Sequence, residues 1–100
     1  MKLEEKLNEE LRGTIEAAKA RKYYPTYFNQ MLDLYGGIET AKRLLADSKP
    51  QTGLFELHRL GLLQDSMEAV ILKKEYKEFF TNNELAEAHK RLDDLGYFDD

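Results

Sequence analysis

The sequence predicts an all-α protein, folded as a compact bundle of five to six short helices. Over most of the chain, apolar residues recur at spacings of three and four, which is the period of an amphipathic helix. Residues that commonly start or end helices stand between these stretches. No segment shows the sustained alternation of apolar and polar residues that predicts a β-strand, and no hairpin dipeptide is present.

Three helices are predicted in the first half of the chain. The longest covers residues 2–22, where apolar side chains share one face and charged side chains fill the other. A second covers residues 25–35, starting with a proline, which suits the first turn of a helix. The glycine pair 36–37 then offers a left-handed αL ending. A third covers residues 38–45 and leads into a proline-containing loop over residues 47–52.

Two shorter helices are predicted after this loop. Residues 54–60 carry leucines at three-residue steps, and Gly61 suits the glycine that follows a helix C-terminus. Residues 67–72 form the next apolar stretch. Asp65 and Glu68 stand three residues apart at its start, so we expect them to form a capping-box-like pair.

The clearest helix boundary lies near the C-terminus. Thr81 and Glu84 have the spacing of a capping box, in which each side chain bonds the backbone amide of the other residue. Residues 85–95 continue as an amphipathic helix that Gly96 ends. The aromatic segment 73–80 fits either a helical turn or an irregular crossover, and the pattern leaves both open.

One domain is predicted for residues 1–100, because no linker, repeat or low-complexity segment divides the chain. Residues 1–22 form its N-terminal amphipathic helix and residues 23–97 its main helical part. The predicted core comprises Leu11, Ile15, Phe28, Met31, Leu32, Ile38, Ala41, Leu44, Leu57, Leu60, Val70, Ile71, Leu85, Ala88 and Leu92.

Composition narrows the possible functions. The net charge is −4, so the whole molecule does not attract nucleic acid or anionic lipid over long range. Without cysteine, the chain has no disulfide, no cysteine-based zinc site and no thiol nucleophile. Its apolar runs are far shorter than the roughly 20 residues of a membrane span, and its N-terminus alternates charge unlike a signal peptide. We therefore expect a cytoplasmic protein without a membrane partner.

The sequence shows no recognisable catalytic, cofactor or metal site. His58 and His89 have no second histidine at a ligand spacing, and Asp93 offers His89 a single carboxylate on a charged face. Ser48 and Ser66 lie outside any nucleophile motif and fit turns or helix caps. The glycines do not form a phosphate-binding loop. We expect a protein that is not an enzyme, with no cofactor and no bound metal.

Over residues 20–97 the chain resembles a widespread bacterial family of small helical proteins of uncharacterised function. The resemblance rests on the segments Tyr24-Pro25-Thr26-Tyr27-Phe28, Gly36-Gly37-Ile38-Glu39-Thr40-Ala41, Leu44-Leu45, Gly53-Leu54, Leu60-Gly61-Leu62-Leu63, Ser66-Met67-Glu68-Ala69-Val70-Ile71-Leu72, Phe79-Phe80-Thr81, Glu84-Leu85, Arg91-Leu92 and Gly96-Tyr97. It departs at Asn82-Asn83, where the family tends to be acidic. The resemblance implies one compact helical domain from a bacterium or phage, linked to nuclease or phage-defence systems, and it transfers no active site.

Among the function classes, the sequence favours a protein-interaction or regulatory module. Six aromatic residues exceed what the helical stripes require, and tyrosine is common at protein interfaces because it combines a large contact area with a polar tip. The same residues could instead form the rim of the protein's own core. The candidate partner surface comprises Tyr23, Tyr24, Tyr27, Tyr76, Tyr97 and Phe98. The partner's identity and the oligomeric state stay open.

A helix-turn-helix DNA-binding protein is the alternative, because residues 38–61 read as two helices followed by a Leu-Gly-Leu exit. Three features weaken it. The first is the break from Asp47 to Thr52, which contains a proline and is longer than the roughly 3–4-residue turn typical of the motif. The first turns of the second helix carry Gly53, Leu54, Phe55 and Glu56, where a recognition helix needs side chains that reach base edges. The whole segment holds four basic and three acidic residues, too few cations for several phosphate contacts. Nucleic acid is thus the less favoured partner.

Overall fold

The computed structural model describes residues 2–47 and 52–99, and it confirms the predicted all-α bundle. Its α-helices are α1 (Leu3–Ala20), α2 (Thr26–Ala46), α3 (Thr52–Arg59), α4 (Met67–Ile71) and α5 (Asn82–Asp94). Short 3₁₀ helices cover Leu63–Asp65 and Lys74–Phe79. Within the two described ranges no residue is in a strand. In those same ranges no helix is both long and apolar enough to cross a bilayer.

The second and third predicted helices are the two halves of α2, which is interrupted at Gly36. Gly36 has φ 77° and ψ 172°, a conformation that essentially only glycine adopts. The predicted boundary is therefore confirmed, but the predicted αL ending is wrong because ψ is extended rather than helical. The loop predicted after α2 begins at Asp47, and its Ser48 and Pro50 lie outside the described residues.

Three helices end in the same local motif, in which the last turn is closed by two backbone hydrogen bonds. After α3, Gly61 has φ 73°, and the amide of Leu62 donates to the carbonyl of Leu57 at 2.8 Å. After α5, Gly96 has φ 77°, and the amide of Tyr97 donates to the carbonyl of Leu92 at 3.0 Å. Both predicted glycine endings are confirmed as Schellman motifs. The third example closes the end of α1, where the amides of Lys22 and Tyr23 donate to the carbonyls of Lys19 and Ala18.

The two capping predictions have different outcomes. The Thr81 and Glu84 capping box is confirmed, with its two hydrogen bonds at 3.1 and 2.9 Å. The Asp65 cap is wrong, because Asp65 lies in the preceding 3₁₀ helix and Ser66 occupies the cap position. The Ser66 hydroxyl accepts from the amide of Ala69 at 3.1 Å, and this leaves the Glu68 side chain available for a different role.

The main core joins α1, α2, α4, α5 and the second 3₁₀ helix. Most of the predicted core is buried, namely Leu11, Ile15, Met31, Leu32, Ala41, Val70, Ile71, Ala88 and Leu92. The remaining predicted core residues, Phe28, Ile38, Leu44, Leu57, Leu60 and Leu85, are half-buried. Buried apolar side chains absent from the prediction are Leu7, Ala18, Leu45, Leu54, Leu62, Leu63, Met67, Tyr76 and Phe80.

The segment 73–80, left open by the sequence, contains the 3₁₀ helix Lys74–Phe79. Its Tyr76 side chain is completely buried, and the hydroxyl donates to Glu10 Oε1 on α1 at 2.6 Å. Lys73 also binds the Glu10 carboxylate, with 2.7 Å between Nζ and Oε2. The segment 73–80 is therefore held against α1 by the contacts of Lys73 and Tyr76 with Glu10.

Candidate functional site

A pocket of about 560 Å³ opens between the end of α1, both ends of α2, α3 and the start of α4. Its volume lies within the roughly 300–1,000 Å³ of typical ligand pockets. Apolar side chains from each of these helices form its walls: Ala18, Phe28, Leu44, Leu54, Leu57 and Met67. The pocket is thus assembled from segments far apart in sequence.

Tyr23 reaches the pocket because of the way α1 ends. Lys22 has φ 65°, a left-handed conformation, and the amide of Tyr23 donates to the carbonyl of Ala18 at 3.0 Å. These are the features of a Schellman ending with lysine in the glycine position. The chain turns back at this point, and Tyr23 lines the pocket beside the last turn of α1.

The Tyr23 hydroxyl lies against the N-terminal end of α3. A Cβ added to Gly53 would come within 3.2 Å of Tyr23 Oη, so glycine permits this close approach. Burial, and then the negative charge of Glu56, raise the pKa of the Tyr23 hydroxyl. Tyr23 therefore stays protonated and presents a neutral ring and a hydroxyl to this wall of the pocket.

Tyr24 and Tyr27 form the open side of the pocket. Their relative exposures are 63% and 69%, although both also line the cavity. Tyr24 precedes the proline that begins the turn into α2, and Tyr27 lies in the first turn of that helix. The two rings thus provide exposed aromatic surface at the mouth of an apolar cavity.

Glu68 is a lining residue of this pocket, and its carboxyl group is buried. Only 4% of the residue is exposed, and its Oε2 accepts from Nη1 of Arg91 on α5 at 3.3 Å. Burial raises the pKa of Glu68, while its own backbone amide and Arg91 act in the opposite direction. The Arg91 contact is long, so we assign the upward direction to desolvation.

The guanidinium of Arg91 has several other partners. Its Nε donates to Glu87 at 2.7 Å. Its Nη2 donates to the backbone carbonyls of Leu44, Leu45 and Asp47 at 3.1, 3.3 and 2.9 Å. Arg91 therefore binds the C-terminal end of α2, where helix carbonyls generally lack partners within the helix and where, among the described residues, the carbonyl of Leu44 has one other bond, from the amide of Asp47 at 3.3 Å. This interaction fixes the α2 side of the pocket relative to α4 and α5.

The structure divides the predicted partner surface into three parts. Tyr23, Tyr24 and Tyr27 lie together at the pocket. The prediction that Tyr76 belongs to this surface is wrong, because its side chain is buried in the core and its hydroxyl is bonded to Glu10.

Tyr97 and Phe98 are exposed but do not line the pocket. Phe98 stacks on His89 with 4.2 Å between ring centroids, and Tyr97 meets Phe98 edge to face at 5.1 Å. These rings contact each other and α5. They therefore form a separate aromatic cluster near the C-terminus.

Sequence reasoning missed Glu68 as a site residue and treated it as a helix cap. One signal was available, since Glu68 is the single charged residue in the apolar run Met67–Leu72. The sequence also could not indicate that α3 and α4 would face the end of α1. Among the described residues, no three His, Cys, Asp or Glu side chains lie together as ligands for a metal ion.

The described basic side chains of the helix-turn-helix alternative lie in ion pairs. Arg43 binds Glu39 at 2.9 Å, Arg59 binds Glu56 at 2.8 Å and Lys42 binds Glu84 at 2.8 Å. The fourth, Lys49, lies outside the described residues. Each described cation of this segment is thus already adjacent to a carboxylate, an arrangement that does not favour phosphate binding.

No known family model matches this chain, and no curated protein or solved structure matches it either. The resemblance to a bacterial family of small helical proteins therefore stays a prediction.

Proposed function

We propose that this chain is a non-enzymatic, cytoplasmic interaction module that binds another protein through the surface formed by the pocket and its tyrosines. One observation carries the proposal: Tyr24 and Tyr27 are 63% and 69% exposed at the mouth of an apolar cavity. Monomeric proteins rarely leave large contiguous apolar surface in contact with water unless it serves recognition.

The shape of the surface supports a protein partner. A cavity rimmed by exposed rings can accept one or two side chains while the rings contact the rest of a peptide segment. Tyrosine suits this role because its ring is rigid and its hydroxyl can bond at the wet rim of an interface. We do not propose DNA binding, since no described observation favours it.

The proposal is tested by capture followed by quantitative binding. Immobilised protein is exposed to a bacterial lysate, a captured protein is identified and purified, and its affinity for wild type and variants is measured by calorimetry. The double variant Tyr24→Ala/Tyr27→Ala should weaken binding by about tenfold or more, since truncating rings at the centre of an interface costs about 1–2 kcal/mol or more.

Tyr97→Ala is the matched control, because Tyr97 is also an exposed tyrosine but does not line the pocket. Its affinity should stay within about twofold of wild type. Circular dichroism should show unchanged helicity for both variants. Wild-type affinity in the double variant, or an equal loss in the control, would refute the pocket as the binding surface.

A further inference from the structure

The rings of Tyr24 and Tyr27 are open at the mouth of the pocket. Both residues line the cavity, and they are 63% and 69% exposed. In the part of the chain that the structure describes, the aromatic ring pairs are those of Phe98 with His89 and with Tyr97, so neither Tyr24 nor Tyr27 packs against another ring. Their exposed ring surface is therefore available to a ligand that lies across the mouth of the cavity.

The tyrosines at the pocket also provide hydroxyl groups that can donate hydrogen bonds. Within residues 2–47 and 52–99, the hydroxyls of Tyr23, Tyr24 and Tyr27 make no hydrogen bond to another described residue. The Tyr23 hydroxyl stays protonated, because burial and the negative charge of Glu56 raise its pKa. A phenol hydroxyl can donate to a carbonyl oxygen. The surface thus combines aromatic rings with donors that suit a ligand rich in carbonyl groups.

The aromatic surface at the pocket mouth is small. Since an aromatic side chain offers roughly 150–250 Å², the open parts of Tyr24 and Tyr27 add up to roughly 200–330 Å². A standard protein interface buries about 800 Å² on each partner. The surface therefore suits a short segment of a protein. With so little contact area, that segment must lose little conformational freedom when it binds.

We propose, building on the interaction role above, that the pocket binds a proline-rich segment of the partner protein in the polyproline II conformation. Proline fixes its own φ, so such a segment is already extended before it binds and loses little conformational entropy. A polyproline II backbone has no internal hydrogen bonds, which leaves its carbonyls free to accept from the tyrosine hydroxyls. Grooves lined by aromatic side chains are a recurring way of binding such segments.

The shape of a polyproline II segment matches a cavity with aromatic rings at its mouth. The helix has three residues per turn, so successive side chains point in three different directions. Prolines on one side of the segment can contact the rings of Tyr24 and Tyr27. An apolar side chain between these prolines can enter the cavity, which is lined by Leu54, Leu57 and Met67.

The test uses three blocked pentapeptides. The first has a central leucine with two prolines on each side, and the second has alanine in place of every proline. The third is the all-D mirror image of the first, which has the same composition and hydrophobicity but the opposite helical hand. Each peptide is titrated up to about 5 mM into labelled full-length protein while the methyl signals of Leu54, Leu57 and Met67 are followed by NMR.

The proline peptide should bind about fivefold or more tightly than either of the other two. The alanine peptide must lose more conformational freedom on binding, and the mirror-image peptide directs its prolines and carbonyls along a helix of the wrong hand.

Tyr24→Phe/Tyr27→Phe keeps both rings and removes both hydroxyls, and it should weaken binding of the proline peptide about fivefold or more. Tyr97→Phe is the matched control, because it removes the hydroxyl of an exposed tyrosine outside the pocket, and its affinity should stay within about twofold of wild type. Circular dichroism should show unchanged helicity in both variants, since all three positions are exposed.

Equal binding of the alanine or the mirror-image peptide, no shift of the pocket methyl signals with the proline peptide, or wild-type affinity in Tyr24→Phe/Tyr27→Phe would overturn the inference of a proline-rich ligand. None of these outcomes decides the interaction role, which fails separately if the Tyr24→Ala/Tyr27→Ala variant binds the captured partner as wild type does.

Discussion

The Asn8 side chain on α1 accepts a hydrogen bond from the backbone amide of Gly37 in α2, with 2.7 Å between Oδ1 and the amide nitrogen. Because Gly36 is not helical, Gly37 begins a new helical segment whose first amides lack partners within the helix. Asn8 therefore acts as an N-terminal cap supplied by another helix. It fixes the second half of α2, which carries Leu44 and Asp47 to the pocket.

The first prediction concerns this cap. Asn8→Ala should lower the free energy of unfolding by about 1–2 kcal/mol, because a partly buried amide loses its acceptor. Asn8→Asp keeps an acceptor at a helix N-terminus, where negative charge is favourable, and should stay within about 0.5 kcal/mol of wild type. Urea denaturation measures both. Equal losses in the two variants would contradict the capping role.

The second prediction uses three glycines in different environments. Ala at Gly37 would place a Cβ 2.6 Å from Asn8 Oδ1 and 3.0 Å from a methyl of Leu11, so Gly37→Ala should cost about 1–3 kcal/mol. Gly36→Ala should cost about 1–3 kcal/mol for a different reason, its positive φ.

Gly13 provides the control for these two substitutions. It is helical and exposed on α1, and an added Cβ there meets nothing within 4 Å. Gly13→Ala should therefore raise the unfolding free energy by about 0.5–1 kcal/mol, through the higher helix propensity of alanine. The three variants are compared by urea denaturation. A loss of stability in Gly13→Ala would contradict the open space around an added Cβ at this position.

What the sequence could predict was determined by local interactions. Thr81 and Glu84 are three residues apart, and the Schellman endings at Gly61 and Gly96 close within six residues, so short patterns indicate them directly. The prediction of Asp65 as an N-cap was wrong because Ser66, one residue later, is the N-cap of α4. Helix boundaries were therefore well predicted, and the errors concerned local geometry, namely which of two adjacent residues caps α4 and the extended ψ of Gly36.

The candidate site depends instead on contacts between distant residues. Tyr76 lies 66 residues from its partner Glu10, and Arg91 lies 23 residues from Glu68. No periodic pattern connects such pairs, so tyrosine at position 76 could not be distinguished from the exposed tyrosines at positions 24 and 27. Predicting which aromatic residues are accessible required the packing of the 3₁₀ segment on α1.

The third prediction concerns a buried hydroxyl. Thr40 is completely buried in α2, and among the described residues its Oγ1 has no hydrogen-bond partner. A helical threonine commonly bonds the carbonyl four residues earlier, which here belongs to the non-helical Gly36. Thr40→Val should therefore maintain stability or raise it by about 1 kcal/mol, since it removes the unpaired hydroxyl without changing shape.

Thr40→Ser provides the comparison for this substitution. It keeps the hydroxyl, removes a buried methyl group and should cost about 1 kcal/mol. Both variants are measured by thermal and urea unfolding. A loss of more than about 1 kcal/mol in Thr40→Val would mean that the hydroxyl does have a stabilising partner.

The last prediction concerns the pH dependence of stability at Glu68 and Glu10. Burial raises the pKa of Glu68 above its ordinary value of 4.5, so the folded state binds this proton more tightly than the unfolded state. The contribution of Glu68 to stability is thus fully present below about pH 4.5 and is lost as pH rises through the raised pKa. Glu68→Gln removes this titration, so the stability of the variant relative to wild type should increase between about pH 4 and pH 8.

Glu10 should behave in the opposite way. Its burial alone would raise the pKa, but hydrogen bonds from Lys73 and Tyr76 together lower it below 4.5. Its contribution is therefore present above pH 4.5 and lost as pH falls, so Glu10→Gln should become less stable relative to wild type as pH rises. Other carboxylates are common to all three proteins and largely cancel in these differences. Unfolding free energies measured by urea denaturation from about pH 2.5 to pH 8 should give slopes of opposite sign, with the Glu10 slope below about pH 4.5 and the Glu68 slope above it. Slopes of the same sign would show that Arg91 outweighs burial at Glu68. The ion pair with Arg91 would then lower the pKa of Glu68, just as Lys73 and Tyr76 lower that of Glu10.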